Sequence, residues 1–314
     1  MKQKINAQII ADSKNEFGQR ITTFVLTFPR MILAEYNTHR MLTRNSASSR
    51  AIPFKKMLSS VMTDPFIPIA WMKDHSGMQG NTYFGKESEV VPFILRQLWL
   101  TARNFAVIVA WMLSKIGLTK QIVNRLLEPF LWHKIITTST EWENFFSLRA
   151  EGAAEIHMQE LALVMLDEYN KSEPILLKAG EWHLPFGDNI ELNLLLPVWN
   201  SIRKESDSLY PSDDCRLKIA TARCARTSYN NFDGTSDYEK DIQLHDRLAL
   251  SGHWSPFEHC AQAMTKTQFE NSETRFTYFT DILEPGWCGN FKGFIQYRKT
   301  FQNENRKDNR VVKK

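Results

Sequence analysis

Histidine, arginine and serine side chains gather in one short stretch near the beginning of the chain. Thr38-His39-Arg40 is followed, after seven intervening residues, by Ser48, and Arg50 comes two residues later. Arg44 lies between them. Because guanidinium groups and hydroxyls together suit phosphate recognition, the stretch predicts an anion-binding loop at the end of a helix. The alternative is a solvated basic helix end followed by a polar turn.

A second group lies on a predicted helix, in Trp142-Glu143-Asn144-Phe145-Phe146-Ser147-Leu148-Arg149. At helical spacing Asn144, Phe145 and Leu148 fall roughly along one side, with Arg149 just past it. A fixed positive charge beside an aromatic face can stabilise negative charge on a bound ring. An arginine in this position can equally be a surface residue whose stem covers the core.

A third block lies in the last third of the chain. It contains Cys224-Ala-Arg226-Thr-Ser228-Tyr and, further on, Gly252-His253-Trp-Ser255-Pro256-Phe257-Glu258-His259. A lone histidine after a turn is usually structural, so His259 becomes a candidate only through the residues around it.

The three blocks together resemble the flavin-dependent thymidylate synthases, the ThyX family. The first resembles that family's R-H-R-x7-S signature, with Thr38 in place of the first arginine, and the second resembles its N-F-x-x-L-R run. The third resembles the blocks A-R-x-S-[FY] and G-H-x-[ST]-P-F-E-H, which open a ThyX chain but follow the signature here. The resemblance covers about half of the sequence and is strongest to phage-encoded members. It implies a ThyX-like fold whose motif order is circularly permuted or rearranged with an added segment. Residues 60–118, 171–212 and 265–290 carry no resemblance.

The resemblance also implies roles for individual residues. It implies flavin contacts by His39, Arg40, Ser46, Asn144 and His259, and nucleotide contacts by Ser46, Ser48, Arg50, Arg125 and Arg149. Arg149 is the expected catalytic residue, because its charge would stabilise a uracil deprotonated at N3 and make carbon 5 more nucleophilic. For Arg125, an exposed helical arginine is an equal alternative.

Two departures from the family pattern bear on these roles. Glu35 and Thr38 stand where the family has a glutamine and an arginine, and neither is a good phosphate ligand. Gln296 and Arg298, in a C-terminal segment that resembles the family's lead-in to the signature, are predicted to replace them in space. The alternative is that Arg298 belongs to the basic tail.

The implied activity is reductive methylation of dUMP to dTMP with methylenetetrahydrofolate, FAD and NADPH, in a homotetramer with shared active sites. One alternative is a ThyX-like hydroxymethyltransferase acting on dUMP or dCMP, and another is an inactive relative that binds nucleotides or nucleic acid. Thymidylate synthases with a cysteine nucleophile carry it after a proline, and none of the four cysteines here follows one. We expect no metal, since the spacing of Cys260, Cys288, His253 and His259 fits no known zinc pattern.

Composition sets wider limits. The 314 residues, 43% hydrophobic and 24% charged with a net charge of +4, are typical of a globular protein and suit an anionic substrate. Without a signal peptide or a C-x-x-C pair, a cytoplasmic location is expected. As a separate expectation, the partners are small-molecule substrates rather than nucleic acid. The apolar stretch 90–118 is interrupted by Arg96, Arg103 and Asn104, which predicts a buried helix rather than a membrane span.

The elements predicted around these residues define an α+β fold, helix-rich with an antiparallel sheet. A strand is expected at 21–28, a helix at 32–40, a surface loop at 64–90, and helices at 91–116, 119–128 and 156–169. Thr140-x-x-Glu143 should open the helix of Arg149, Asp213 or Asp214 should cap a helix through Arg226, and Ser236-x-x-Glu239 should cap one that stops at Gly252. We expect a single catalytic domain over 1–314: residues 1–170 hold the signature loop and the Arg149 helix, 171–212 wrap the core, 213–300 hold the permuted block, and 301–314 form a basic tail.

Overall fold

The computed structural model describes most of the chain, namely residues 3–46, 48–76, 80, 82–85, 88–187, 190–202, 213–228, 237–270, 287–301 and 304. The α-helices there are α1 Leu33–Tyr36, α2 Phe54–Thr63, α3 Val90–Lys115, α4 Lys120–Val123, α5 Glu143–Arg149, α6 Ile156–Lys171, α7 Leu192–Ile202, α8 Asp213–Ser228 and α9 Tyr238–Leu250. The strands are β1 Asn6–Asn15, β2 Arg20–Pro29, β3 Thr43–Ser46, β4 Trp132–Ser139, β5 Ile175–Leu177, β6 Trp182–His183, β7 Ala261–Ala263, β8 Trp287–Cys288, β9 Phe291–Lys292 and β10 Phe294–Gln296. Short 3-10 helices cover Arg30–Ile32, Asn124–Phe130, Ser255–Glu258 and Tyr297–Thr300.

A five-stranded sheet in the order β3-β4-β2-β1-β5 forms the centre of the fold. Its neighbouring strands are antiparallel except for the parallel pair β1 and β5. The predicted strand at 21–28 is confirmed as β2, and the alternating Phe24, Leu26 and Phe28 are fully buried on one face. Burying each of these side chains contributes roughly 2 kcal/mol to folding.

Helices cover both faces of this sheet. Phe145 of α5, Met158 of α6 and Trp142, which directly precedes α5, join the core on the Phe24 face. α8 packs on β3 and β4 at the opposite face, where Cys224 meets Ile136. Two small sheets, β10-β7-β6 and β8-β9, lie beside the main one. The predicted α+β class is therefore confirmed.

Several predicted helices are confirmed with small shifts of their ends. α6 begins at Ile156 as expected, and α8 begins at Asp213 and runs two residues past Arg226. α9 ends at Leu250, and Gly252 then adopts a left-handed backbone angle (φ +69°) that suits glycine at a helix end. The predicted helix at 119–128 is instead the short α4 followed by a 3-10 segment that contains Pro129.

The stretch 171–212, predicted to wrap the core, forms β5, β6 and α7 within its described residues. β6 pairs with β7 in a small sheet, and α7 packs against α9. The predicted surface loop at 64–90 is irregular over its described residues, apart from an isolated bridge between Met72 and Tyr83.

The prediction that the apolar helix is buried is wrong. α3 occupies the predicted range, but Ala110 is its one buried residue, and the rest of the helix is exposed or half-buried. It packs along one side on α2 and on residues 124–130. Within the described residues, α3 is the helix long and apolar enough to cross a membrane by length and composition.

Two local predictions near the candidate site are also wrong. Thr140 does not cap α5, because its hydroxyl accepts a hydrogen bond from the backbone N–H of Lys292 at 3.0 Å. The helix expected to continue through Arg40 ends at Tyr36. The N-cap of α9 is Asp237, which accepts from the N–H of Lys240, while Ser236 lies outside the described residues.

Candidate active site

A cavity of about 540 Å³ lies between the loop after α1 and the helix α5. We call it the Arg149 cavity. It is lined by Thr38, His39, Arg40, Met41, Leu42, Glu141, Asn144, Phe145, Leu148 and Arg149. Residues of the first two sequence blocks, more than a hundred positions apart, therefore line opposite walls of one cavity. Its volume lies within the range of about 300–1,000 Å³ that is typical of small-molecule sites.

Hydrogen bonds from side chains to backbone carbonyls fix the loop that carries His39. The Thr38 hydroxyl donates to the carbonyl of Glu35 at 2.7 Å, and an Arg44 Nη1 donates to the carbonyl of His39 at 3.0 Å. Side-chain groups thus satisfy carbonyls that a further helical turn would have used, which explains why α1 stops early. The His39 ring then packs edge-on against Phe145 at 4.9 Å between centroids.

Arg149 joins the two walls of the cavity. Its Nε donates to Nε2 of His39 at 2.8 Å, and its Nη1 forms an ion pair with Glu35. Burial, together with the nearby charges of Arg149 and Arg44, lowers the pKa of His39 below its ordinary value. His39 is therefore neutral at pH 7, and because its Nε2 accepts, the ring proton sits on Nδ1.

His259 is buried and belongs to a chain of hydrogen bonds rather than to the lining of this cavity. Its Nδ1 meets the Thr138 hydroxyl at 2.9 Å, Thr138 meets Thr23 at 2.8 Å, and Thr23 meets Nε2 of His183 at 2.8 Å. Nδ1 of His183 ends the chain on the Ser13 hydroxyl at 2.9 Å. Burial lowers the pKa of both histidines to about 3, so both are neutral. Nε2 of His259 has no hydrogen-bond partner among the described residues.

The C-terminal segment packs beside the His39–Arg40 loop. The side chain of Gln296 is buried and donates to the Thr43 hydroxyl at 3.2 Å, and that of Asn290 donates to the Arg40 carbonyl at 3.3 Å. Arg298 forms ion pairs with Glu258 and with Glu304, the latter at 2.9 Å, and does not line the Arg149 cavity. Within one protomer the structure thus brings Gln296, but not Arg298, next to the signature loop.

The remaining predicted residues lie outside the lining of the Arg149 cavity. Ser46 ends β3, and the Ser48 hydroxyl accepts from the backbone N–H of Arg50 at 3.3 Å. Arg50 and Arg125 are both exposed. Their nucleotide contacts, like those of Ser46, Ser48 and Arg298, stay predictions.

A second cavity of about 730 Å³ gathers residues of the third block. We call it the α9 cavity. It is lined by Asn45, Ala225, Arg226, Lys240, Gln243, Leu244, Arg247, Leu248, Ser251, His253 and Pro256. Of the described residues that line it, three carry fixed positive charges and none is acidic, although Arg226 and Lys240 also form ion pairs with Asp241 and Asp237 at 2.9 Å and 2.6 Å.

The sequence analysis missed the α9 residues of this cavity. Lys240, Gln243 and Arg247 recur at helical spacing, so they share one face of α9. That periodicity was the available signal, and it joins the α9 face to the motif residues Arg226 and His253. The cavity can attract anionic groups through Arg247, whose charge no ion pair among the described residues compensates, whereas Arg226 and Lys240 are paired with aspartates.

The four cysteines, Cys215, Cys224, Cys260 and Cys288, are buried and are not joined in disulfides. Burial raises the pKa of the Cys215 thiol to about 11 and that of the Cys260 thiol to about 12, and it also raises the pKa of Cys224. A nucleophilic cysteine needs an accessible thiolate. These three thiols are therefore poorly suited to covalent catalysis.

No protein-family model matches the chain, and no curated protein sequence matches it. Among solved structures, the UMP/dUMP methylase PolB from Streptomyces cacaoi, bound with 5-Br dUMP, matches with a TM-score of 0.45 and 12% sequence identity. The match covers 56% of this chain and 92% of that chain. At this identity and TM-score the likeness is too weak to assign a fold family or an activity.

Proposed function

We propose that this protein methylates dUMP at carbon 5 to give dTMP, with FAD, NADPH and methylenetetrahydrofolate. One observation carries the proposal. His39 and Arg40 of the first block and Asn144 and Arg149 of the second line one cavity, although they are far apart in the sequence. Both blocks were identified by their resemblance to flavin-dependent thymidylate synthases.

The residues present suit a flat ring system with polar edges. Phe145 and Leu148 provide apolar surface, while Asn144, His39 and Arg40 provide hydrogen-bonding groups around it. A bound flavin would supply the electrons of the reaction, and the folate would supply the carbon. The charge of Arg247 in the α9 cavity would favour phosphate groups.

Arg149 has the chemistry for the central step of the proposal. Nη1 and Nε are engaged by Glu35 and His39, which hold the guanidinium in one orientation. Its remaining amino group, Nη2, has no hydrogen-bond partner among the described residues and is available to a uracil oxygen or N3. A cation held this way stabilises negative charge on the ring without having to reorganise.

The first experiment is flavin binding by the purified chain. We expect it to retain FAD, seen in the visible flavin absorbance after excess cofactor is removed. Asn144→Ala should weaken FAD binding, whereas Ser147→Ala, on the same helix but outside the lining of the cavity, should not. A protein that never retains FAD would contradict the flavoenzyme proposal.

The second experiment identifies the product. Incubation with dUMP, methylenetetrahydrofolate, FAD and NADPH should yield a nucleotide heavier than dUMP by one methylene, measured by mass spectrometry. A hydroxymethyl product, or turnover of dCMP alone, would replace the proposed reaction. Nucleotide binding without any product would indicate an inactive relative.

A further inference from the structure

One long face of α3 is apolar and exposed. Leu98, Phe105 and Met112 retain 60%, 65% and 52% of their accessible surface, and Ile94 and Ile108 retain 48% and 52%. Single exposed apolar residues are ordinary, but a continuous apolar face along a 26-residue helix is not. Such a face indicates a binding surface.

The spacing of this face follows a rule. Its members alternate three and four residues apart, as Val91, Ile94, Leu98, Thr101, Phe105, Ile108 and Met112. We call this set the α3 stripe. Every residue of the stripe is exposed in the protomer, and Thr101 is its single polar member. This alternation is the heptad pattern by which one helix packs along another.

The opposite side of α3 is fixed to the protein. Trp99 Nε1 donates to the Phe66 carbonyl at 2.9 Å, and Arg103 Nη1 donates to the Val61 carbonyl at 2.8 Å. Ala110 on the same side is fully buried. If α3 crossed a membrane it would lose these contacts. We therefore expect a partner to bind the α3 stripe while α3 stays packed on its own protomer.

We propose that the α3 stripe packs against the α3 stripe of a second copy of this chain. The stripe carries no charge, so two copies meet without repulsion or unpaired ions. Its exposed area is on the order of the 800 Å² per partner that a stable interface buries. A lipid surface fits less well, because helices that lie on membranes carry Lys and Arg along the length of the apolar face, whereas on α3 Arg96 and Arg103 fall on the far side and Lys115 lies beside the stripe at its C-terminal end.

The proposal is independent of the proposed catalytic function, and oligomeric mass tests it. Light scattering coupled to size exclusion should give wild type at least twice the chain mass of 36.6 kDa. The double variant Leu98→Glu/Phe105→Glu should fall to half of the wild-type mass or less, because four carboxylates would meet across the contact. Both side chains are exposed, so the protomer should keep its far-UV circular dichroism.

The helix offers a matched control. Arg96→Glu changes the net charge by the same two units at an exposed position on the far side of α3, and it should leave the mass unchanged. Mixing the Leu98→Glu/Phe105→Glu protein with Leu98→Lys/Phe105→Lys should restore association, since opposite charges then face each other in either helix orientation.

A direct measurement places the contact. A nitroxide attached at Thr101→Cys should report a short distance between copies, and the four native thiols are buried away from the label. A wild-type monomer, or a Leu98→Glu/Phe105→Glu variant with unchanged mass, would overturn the proposal. So would a monomer that co-sediments with phosphatidylcholine–phosphatidylserine vesicles through the same two residues, which would make lipid the occupant.

Discussion

Arg149 is the side chain on which the proposed chemistry depends most. We expect Arg149→Ala to lower turnover by about a hundredfold or more, the usual effect of removing one preorganised electrostatic partner. Because two other cavity residues, His39 and Asn144, are left in place, FAD affinity should change little. Steady-state kinetics and FAD titration together measure the two effects.

A matched arginine controls for the loss of charge alone. Arg96→Ala removes an exposed arginine that lies in neither cavity and outside the α3 stripe, and it should retain wild-type turnover. The His39 pKa gives an independent readout, because the charge of Arg149 helps to lower it. Arg149→Ala should therefore raise that pKa in an NMR titration. Unchanged turnover in Arg149→Ala would show that the catalytic assignment is wrong.

Glu35 sets how much of the Arg149 charge a ligand meets. Its carboxylate pairs with Nη1 of Arg149, so it compensates a cation that would otherwise attract an anionic nucleotide. We expect Glu35→Gln to tighten dUMP binding by about twofold to fivefold, the scale of a half-exposed charge interaction. Calorimetry at two salt concentrations measures it.

The control for Glu35→Gln is Glu143→Gln. Glu143 lies on the Arg149 helix and is exposed, and the substitution removes the same charge outside the lining of the cavity. It should leave dUMP binding unchanged. Weaker binding in Glu35→Gln would mean that Glu35 serves mainly to orient Arg149 rather than to compensate it.

At the scale of elements, the local sequence pattern predicted the strands and helices whose buried face is set by their own residues. The alternation of Phe24, Leu26 and Phe28 specified β2 because one face of that strand is core. The burial of α3 could not be predicted in this way. Apolar composition indicates that a helix packs against another apolar surface, but it does not indicate whether that surface belongs to the same chain.

The missed contacts near the site depend on distant residues. Thr140 has the spacing of a capping box, yet its hydroxyl is taken by Lys292, which follows it by 152 positions. The ion pair of Arg149 with Glu35 joins two blocks that were interpreted separately. Motif spacing could identify His39, Asn144 and Arg149 as candidates, but only the fold shows which charges face each other.

The chain of hydrogen bonds through β2 and β4 gives a prediction at this scale. Thr138 links His259 to Thr23, and all three side chains are fully buried. Thr138→Val keeps the shape but leaves both neighbours short of a partner, so it should lower the free energy of unfolding by about 1–3 kcal/mol. Urea unfolding measures the loss.

A second buried threonine provides the comparison. Thr221 is fully buried, and its hydroxyl meets the Cys260 thiol at 3.7 Å, a weak contact. Thr221→Val should therefore lower the free energy of unfolding by less than Thr138→Val does. Equal stability of Thr138→Val and wild type would show that the chain contributes nothing to folding.

Over the whole molecule, buried and half-buried histidines make folding sensitive to acid. Burial lowers the pKa of five of them, and to about 3 for His133, His183 and His259; the other two are His39 and His245. An unfolded histidine titrates near 6.5, so below that pH the unfolded chain binds more protons than the folded one. Their contribution to stability is present above about pH 6.5 and is lost as the pH falls toward 3.

The buried carboxyl group of Asp241 and the half-buried one of Glu258 act in the opposite direction. Burial raises the pKa of Asp241 to about 6 and also raises that of Glu258. Protonation of these groups favours the folded state as the pH falls. Between pH 6.5 and 4.5, protonation of Asp241 adds about 2 kcal/mol to the free energy of unfolding. Over the same range, the three histidines with a pKa near 3 lower the free energy of unfolding by roughly 7 kcal/mol. Their effect is therefore larger than that of the carboxyl groups.

We therefore expect the free energy of unfolding, measured by urea titration, to fall by roughly 5 kcal/mol or more between pH 6.5 and 4.5, a large share of a typical domain's 5–15 kcal/mol. His133 allows the cause to be isolated, because it is buried beside the Arg30 guanidinium and lies outside the lining of both cavities. His133→Gln should lose about 2 kcal/mol less than wild type over that interval, since one titrating imidazole is gone. His75→Gln removes an exposed imidazole and should follow the wild-type curve. Equal wild-type stability at both pH values would show that the buried histidines are not held neutral by the fold.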